Sequence, residues 1–218
     1  GYLVDLEGIR QVIGDRLLIV DVMQGFGVVD APYELADVVV GSGRTWVRAG
    51  WGTGFMVLSE RALDQLTPVW TGYVPNGNTQ EEPNEVPAPV RGARAFGLSD
   101  PDPLAQARLS AALEEIDRVG VAAIGAKVDE KVSRLIDLAD EFAVPVVSPR
   151  AEHERAGIVV VEPEPEHLTV LAAALHNHGV SAAVGGGRVR LSAHATTNDE
   201  TLAMLRSAFL SFSTATPG

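Results

Sequence analysis

Two polar clusters follow two apolar segments of the chain, and their side chains could bind a small polar molecule. Asp21 and Gln24 come after the apolar run 17–20, and Ser42 and Arg44 come after the apolar run 38–40. Together they supply a carboxylate, an amide, a hydroxyl and a guanidinium, which are donors and acceptors of hydrogen bonds. Apolar runs that stop at polar residues are typical of parallel strands. Ligands bind at the carboxyl ends of such strands, so the sequence predicts a site there.

Two of these features have alternative interpretations. An Asp at the end of a strand often caps the following loop through its own backbone, so Asp21 could be structural. Gly50, Gly52 and Gly54 imitate a nucleotide-binding loop, but a strand and not a helix follows them. We therefore interpret the three glycines as a tight turn.

The elements that must position these residues divide the chain into four segments. Residues 1–72 are predicted as a helix, three strands and a helix that begins after Ser59, whose hydroxyl is a plausible cap. Residues 73–101 are rich in Pro, Gly, Asn and Glu and indicate a linker or interface loop. Residues 102–145 form connecting helices, and residues 146–218 form a small carboxy-terminal α/β domain.

Apolar residues recur at helical spacing through the connecting segment and predict one exposed and one buried helix face. Gly120 and Gly125 are predicted to break or kink this run. Its only lysines, Lys127 and Lys131, lie four residues apart and therefore on one helix face. We interpret that face as solvated.

The last segment alternates strands and helices. Three glycines, Gly185 to Gly187, predict a hairpin between two short strands. Gly179 is predicted to end a helix, and Asn198 or Thr197 to cap the last one. Residues 144–148 and 156–163 are both predicted as strands, and the order helix, strand, strand, helix follows them.

Asp-x-x-Gln after one strand and Ser-Gly-Arg-Thr-Trp after the next resemble motifs of a known enzyme group. The chain resembles the carboxy-terminal half of fold-type-I, pyridoxal 5′-phosphate (PLP) enzymes of the class V aminotransferase and cysteine desulfurase family. By this resemblance, Asp21 would pair with the pyridinium nitrogen of PLP, Gln24 with the ring 3-oxygen and Ser42 with the phosphate. The family's His falls on Arg44, and its Schiff-base Lys falls on Thr45.

The threonine matters because a hydroxyl cannot form the covalent bond that the family's lysine forms with PLP. The resemblance implies an α/β fold, with the end of a PLP-transferase-like large domain, mostly a parallel sheet with helices, followed by a small α+β domain. It leaves two functions open. One is a PLP-dependent transaminase or C–S or C–N lyase-type enzyme acting on an amino acid. The other is a catalytically degenerate structural or binding subunit.

Arg190 is the candidate for binding the substrate. The strand 187–192 resembles the family's Arg-x-Ser strand, whose Arg holds an α-carboxylate, and a guanidinium can meet a carboxylate with two hydrogen bonds. Arg188 points to the same face of the strand. The alternative is an exposed edge strand that carries Arg for solubility.

The resemblance also implies partners. The glycine-rich phosphate loop and the aromatic residue that stacks on PLP belong to the family's amino-terminal half. We therefore expect a homodimer, or a complex with a chain that supplies that half, and an amino acid or keto acid as the small-molecule partner. PLP, if bound, would be held non-covalently.

The composition limits other functions. The net charge of −12 argues against a nucleic-acid partner, which needs clustered Lys and Arg. The sequence has neither a membrane-length apolar run nor a signal-like start, so we expect a cytoplasmic protein. There is no Cys for disulfides or thiolate metal sites, and the five His are not clustered as metal ligands are.

Overall fold

The computed structural model describes residues 1–70 and 90–216. Within them the chain forms two compact units, each described here by itself. The site unit comprises Asp5–Phe26 and Ala31–Arg118, and the carboxy-terminal unit comprises Gly1–Val4, Gly27–Asp30 and Val119–Gly218. Most of the predicted linker 73–101 lies outside the described residues; its described end contains a 3₁₀ turn at Ala93–Phe96.

The site unit contains three strands and three helices. In chain order they are α1 (Leu6–Ile13), β1 (Ile19–Asp21), β2 (Val38–Ser42), β3 (Gly54–Leu58), α2 (Glu60–Gln65) and α3 (Pro103–Val119). The predicted helix and three strands of the first segment are confirmed. Ser59 caps α2 as predicted, because its Oγ accepts a hydrogen bond of 3.1 Å from the Ala62 N–H.

The sheet of the site unit has the order β1-β2-β3. β1 and β2 are parallel, with Asp21 opposite Val40, as their apolar runs predict. β3 runs antiparallel to β2, with Gly54 opposite Ser42. The sheet is therefore mixed, with one parallel and one antiparallel pairing. The loop 43–53 joins β2 to β3 directly without a crossover helix, and parallel neighbours need a crossover connection.

The buried carboxylate of Asp37 ties this unit together. It lies just before β2, and its Oδ2 accepts hydrogen bonds from the Leu18 N–H at 2.8 Å and from Arg10 Nη2 at 2.7 Å. Arg61 lies 3.6 Å from Oδ1. These bonds fix α1 and the starts of β1 and β2 to one another. A small core of buried side chains packs beside them: Leu18, Val22, Ala36 and Val39.

The carboxy-terminal unit has the predicted order of strand, helix, strand, strand, helix after a long first helix. Its elements are α4 (Val121–Glu141), β4 (Ile158–Val161), α5 (Leu168–Asn177), β5 (Ala183–Gly185), β6 (Arg188–Ser192) and α6 (Asp199–Ala215). The three strands are antiparallel in the order β4-β6-β5. Gly186 and Gly187 have positive φ in the β5–β6 turn, and Asn198 caps α6.

Three local predictions for this unit need correction. Gly120 separates α3 from α4 as predicted, but Gly125 lies inside α4. A Cβ at Gly125 would lie 2.7 Å from the Val28 carbonyl oxygen, so the glycine permits close packing and not a break. The run 144–148 forms only an isolated bridge, Val146 to Val161, because Pro145 has no N–H to donate.

The third correction concerns the two lysines. Lys127 is exposed and pairs with Glu130 at 2.8 Å, as a solvated helix face predicts. Lys131 is only 9% exposed and lies on the buried side of α4 beside Val128 and Val132. Four residues advance a helix by about 400°, so Lys131 is rotated about 40° from Lys127, toward the face that carries Val128 and Val132.

Candidate functional site

Asp21 and Ser42 are the last residues of two neighbouring parallel strands. Gln24 follows Asp21 in the loop 22–26, and Arg44 and Thr45 follow Ser42 in the loop 43–53. The site unit therefore contains five of the six residues that the sequence predicts. Hydrogen bonds between the two loops bring them together at the carboxyl ends of β1 and β2.

The carboxylate of Asp21 is exposed and only partly engaged. Its Oδ1 accepts a hydrogen bond of 2.8 Å from the Met23 N–H, which is the loop-capping role of an Asp at a strand end. Among the described residues, its Oδ2 has no hydrogen-bond partner. Asp21 can therefore cap its loop with one oxygen and accept a hydrogen bond from a ligand with the other.

Gln24 meets Trp46 across the two loops. Trp46 Nε1 donates a hydrogen bond of 3.1 Å to Gln24 Oε1. The Gln24 side chain is exposed, and its amide nitrogen donates to none of the described residues. This contact of Gln24 with Trp46 is not apparent from the sequence motif, because the two residues are separated by β2 and its preceding turn.

Ser42 and Arg44 combine a hydroxyl with a cation. Ser42 Oγ accepts a hydrogen bond of 3.2 Å from the Arg44 N–H, and its own proton is free to be donated to an anion. The Arg44 guanidinium lies 4.2 Å from the centroid of the Trp51 ring in a cation–π contact, and both side chains are exposed. This end of β2 therefore presents donors and positive charge.

Thr45 is a structural side chain in this geometry. Its Oγ1 donates a hydrogen bond of 2.7 Å to the Met23 carbonyl oxygen. No lysine lies in the site unit, because the chain's only two lysines are in α4. The residue at this position therefore ties the loop 43–53 to the loop 22–26.

The glycine-rich loop 43–53 contains a turn at residues 51–52, as its glycines indicate. Gly43 donates its N–H to the Thr53 carbonyl oxygen at 3.1 Å and accepts from the Ala49 N–H at 2.7 Å. A Cβ at Gly43 would lie 2.5 Å from Thr53 Oγ1, so only glycine fits there. From α3, Arg108 donates to the carbonyl oxygens of Ala49 and Trp51 at 3.2 and 3.0 Å. Arg108 is a supporting residue that the sequence analysis missed.

A cavity of about 340 Å³ lies beside this loop, between the start of β3 and α3. Thr53, Ala105, Gln106 and Leu109 are among its lining residues, whereas Asp21, Gln24, Ser42 and Arg44 are not. The cavity is therefore separate from the polar strand ends.

Arg190 lies in the carboxy-terminal unit, on β6. It is exposed, whereas its neighbours Val189 and Leu191 are buried, which confirms the predicted alternation. Arg188 lies on the same face and pairs with Glu162 at 3.0 Å. Arg190 makes no ion pair or side-chain hydrogen bond with the residues that the structure describes. Its guanidinium is thus available to an anion.

Among residues 1–70 and 90–216, no group of three or more His, Cys, Asp or Glu side chains is arranged to hold a metal ion. No helix in the same ranges combines the length and the apolar character needed to cross a membrane.

The chain is similar to several PLP enzymes and related proteins. No protein-family model matches the sequence. A kynureninase from Deinococcus radiodurans is 30% identical over 129 residues, which cover 57% of this chain and 31% of that protein. The apo cysteine desulfurase of Thermococcus onnurineus NA1 superimposes with a TM-score of 0.83 and 22% identity, over 94% of this chain and 55% of that one.

A third relative was solved with its cofactor. A C-DES mutant, with glycine covalently linked to its PLP cofactor, superimposes with a TM-score of 0.73 and 16% identity, over 85% of this chain and 49% of that one. The chain spans about half the length of both solved structures. The described residues therefore have the mixed α/β fold of the carboxy-terminal part of PLP-transferase-fold enzymes.

Proposed function

We propose that this chain is the carboxy-terminal part of a PLP-dependent protein of the class V aminotransferase type, with Thr45 in place of the Schiff-base lysine. Its substrate would be an amino acid or keto acid, and its reaction a transamination or a C–S or C–N bond cleavage. One observation supports this proposal best. Two groups at the carboxyl end of β1, Oδ2 of Asp21 and the amide nitrogen of Gln24, have no hydrogen-bond partner among the described residues. They offer one acceptor and one donor on the same loop.

The side chains of the site unit fit PLP. The free carboxylate oxygen of Asp21 would accept a hydrogen bond from the pyridinium N–H, and the Gln24 amide would donate to the ring 3-oxygen. The Ser42 hydroxyl and the Arg44 charge would meet the phosphate end. When bound, PLP supplies an electron sink for carbanion chemistry at the amino acid.

Each residue has a defined task in this proposal. Asp21 keeps the proton on the ring nitrogen, because an ionised carboxylate next to a cation favours the charged form. Gln24 and Ser42 orient the ring and the phosphate. Arg190 binds the substrate carboxylate through its planar guanidinium. Homodimerisation, or a partner chain that supplies the amino-terminal half, stays a prediction, as does the cytoplasmic location.

The hydrogen bond of Thr45 favours a second function, that of a catalytically degenerate binding or structural subunit. A lysine at this position would have a free amine, whereas the Thr45 hydroxyl is committed to the Met23 carbonyl oxygen. Without the amine, PLP would be held by hydrogen bonds and charge alone. The protein would then hold PLP, or a PLP-bound amino acid, and not turn it over.

An equilibrium titration with PLP tests the proposal. Asp21→Asn keeps the cap to the Met23 N–H but removes the charge, so it should weaken PLP binding by about ten- to a hundredfold. Asp64→Asn is the matched control, because Asp64 is exposed on α2, outside the polar strand ends. Loss of PLP on dialysis would confirm non-covalent binding. Equal affinities of the wild type and Asp21→Asn would contradict the proposal.

A further inference from the structure

The contact between Trp46 and Gln24 fixes the orientation of the glutamine amide. An indole N–H can only donate a hydrogen bond, so the atom that it meets at 3.1 Å must be the amide oxygen. The two ends of a carboxamide are otherwise hard to distinguish from electron density or shape alone. Here the indole N–H of Trp46 identifies the amide oxygen of Gln24, so the amide nitrogen points away from Trp46.

The surroundings hold Trp46 in place. Its ring is 8% exposed, so packing restricts it to one position. The adjacent residue, Thr45, bonds to the carbonyl oxygen of Met23, which is adjacent to Gln24. Two neighbouring hydrogen bonds thus join the same two loops, and the amide of Gln24 is fixed relative to Asp21.

We propose that Trp46 is a positioning residue that makes Gln24 present only a hydrogen-bond donor to the ligand. The ligand class that fits is a phosphorylated 3-hydroxypyridine whose 3-oxygen is ionised, with Asp21 at the ring nitrogen. This proposal rests on the proposed PLP function and adds the residue that sets its selectivity.

The selectivity follows from the donor and acceptor count. With the amide held by Trp46, the Gln24 nitrogen faces the ligand and an oxygen anion there gains a charge-assisted hydrogen bond. A ring without the 3-oxygen leaves that donor without a ligand partner. Without Trp46, the Gln24 amide can turn and place its oxygen against the 3-oxygen of the ligand. The two oxygens then repel each other.

Two ligands that lack the aldehyde isolate this effect, because neither can react with a lysine. They are 4′-deoxypyridoxine 5′-phosphate and the same compound without its 3-hydroxyl. Titration calorimetry measures both affinities for the full chain. We expect the wild type to prefer the 3-hydroxy ligand by about tenfold, the effect of one hydrogen bond.

Four variants assign the preference to its residues. In Trp46→Phe the indole N–H is lost, and the preference should fall toward one because only the 3-hydroxy ligand is weakened. In Gln24→Glu the side chain can still accept from Trp46 but cannot donate at neutral pH, and its carboxylate repels the ionised 3-oxygen, so the preference should fall to one or below. Trp70→Phe, at an exposed tryptophan of the same unit, should leave it unchanged. Adding Trp46→Phe to Gln24→Glu should have no further effect, because Trp46 acts through Gln24.

A purely structural role for Trp46 predicts a different result, in which Trp46→Phe weakens both ligands equally. That result overturns the proposal. If Trp46→Phe fails to fold, benzothienylalanine at position 46 keeps the ring shape without the N–H and answers the same question. A wild type that binds both ligands equally overturns this inference alone, whereas a wild type that binds neither overturns the proposed function as well.

Discussion

Thr45 Oγ1 lies 2.7 Å from the carbonyl oxygen of Met23 and donates a hydrogen bond to it. The bond joins the loop after β2 to the loop after β1, and it uses the position at which the class V resemblance expects a reactive lysine. The side chain at position 45 thus stabilises the site instead of reacting in it. Two predictions concern this position.

The first prediction concerns stability. Thr45→Val keeps the shape of the side chain but leaves the partly buried Met23 carbonyl oxygen without its donor, so it should lower the free energy of unfolding by about 1 kcal/mol. Thr45→Ser keeps the hydroxyl and should cost less. Urea unfolding followed by circular dichroism measures both. A valine variant as stable as the serine variant would show that the bond contributes nothing.

The second prediction concerns covalent attachment of PLP. After incubation with PLP and borohydride reduction, peptide mass spectrometry should find no pyridoxyl group in the segment 36–58, because it contains no lysine. Thr45→Lys should place a label there. Lys127 is exposed and reports non-specific surface labelling in both proteins. Finding the label in 36–58 of the wild type would refute non-covalent binding.

The third prediction concerns acid. Burial disfavours the ionised form of Asp37, but the hydrogen bonds from the Leu18 N–H and Arg10 outweigh it. With the added charge of Arg61, the pKa of Asp37 lies below its ordinary value of 3.8. A carboxyl whose folded pKa is lowered stabilises the fold above the unfolded pKa. This stabilisation is lost as the pH falls through the ordinary value toward the lower folded one.

Urea unfolding between pH 7 and pH 3 measures this effect. The wild type should be destabilised as the pH falls below about 4, near the ordinary pKa of an Asp. Asp37→Asn should lower stability at pH 7 by about 3 kcal/mol, as breaking a buried ion pair does, and should flatten the pH dependence. Asp140→Asn removes an exposed pair with Arg150 and should cost less stability than Asp37→Asn. An unchanged pH profile in Asp37→Asn would contradict this assignment.

The fourth prediction concerns assembly. The outer strands of the site-unit sheet expose apolar side chains: Ile19 of β1 is 60% exposed, and Val57 and Met56 of β3 are 58% and 40% exposed. The buried strand is the central one, β2. Sheets that contain parallel strands are normally covered on both faces, so we expect strands or helices from further polypeptide to complete this one.

Val57→Lys should weaken that association, because a charge on an edge strand opposes pairing. Val12→Lys is the matched control, since Val12 is an exposed valine on α1 and not on a strand. Light scattering at several protein concentrations measures the mass of each protein. A well-folded, monodisperse wild-type monomer with no partner polypeptide would contradict the prediction.

The sequence predicts well those features that depend on neighbouring residues. The caps of Ser59 and Asn198 and the turn at Gly186 follow from local backbone chemistry, and all three are confirmed. The strand ends at Asp21 and Ser42 follow from where each apolar run stops.

The rest depends on contacts between residues far apart in sequence. From the sequence, Gly125 is interpreted as a helix breaker. In the structure it lies within a helix, where its lack of a side chain leaves room for the Val28 carbonyl oxygen. Lys131 is predicted to be solvated, but the packing of α4 in the folded unit buries it. The bond between Trp46 and Gln24 requires the register of β1 against β2, which the motif spacing does not contain.

The last prediction concerns Arg190, whose assignment to a substrate carboxylate rests on the resemblance and stays a proposal. The residue is exposed on β6 and makes no ion pair with the described residues, so Arg190→Ala should change the free energy of unfolding by less than about 0.5 kcal/mol. Its loss should weaken binding of amino or keto acids to the PLP-loaded protein by about ten- to a hundredfold, the effect of one charged hydrogen-bond pair.

Arg188→Ala is the matched control on the same strand and face, and it removes a guanidinium that Glu162 already holds. Because that charge is paired, its loss should leave ligand affinity unchanged. Calorimetric titration of both variants with a keto acid separates the two arginines. Equal affinities for the wild type and both variants would contradict the assignment of Arg190 to a substrate carboxylate. Arg190 would then serve only solubility, as an exposed arginine on a strand does.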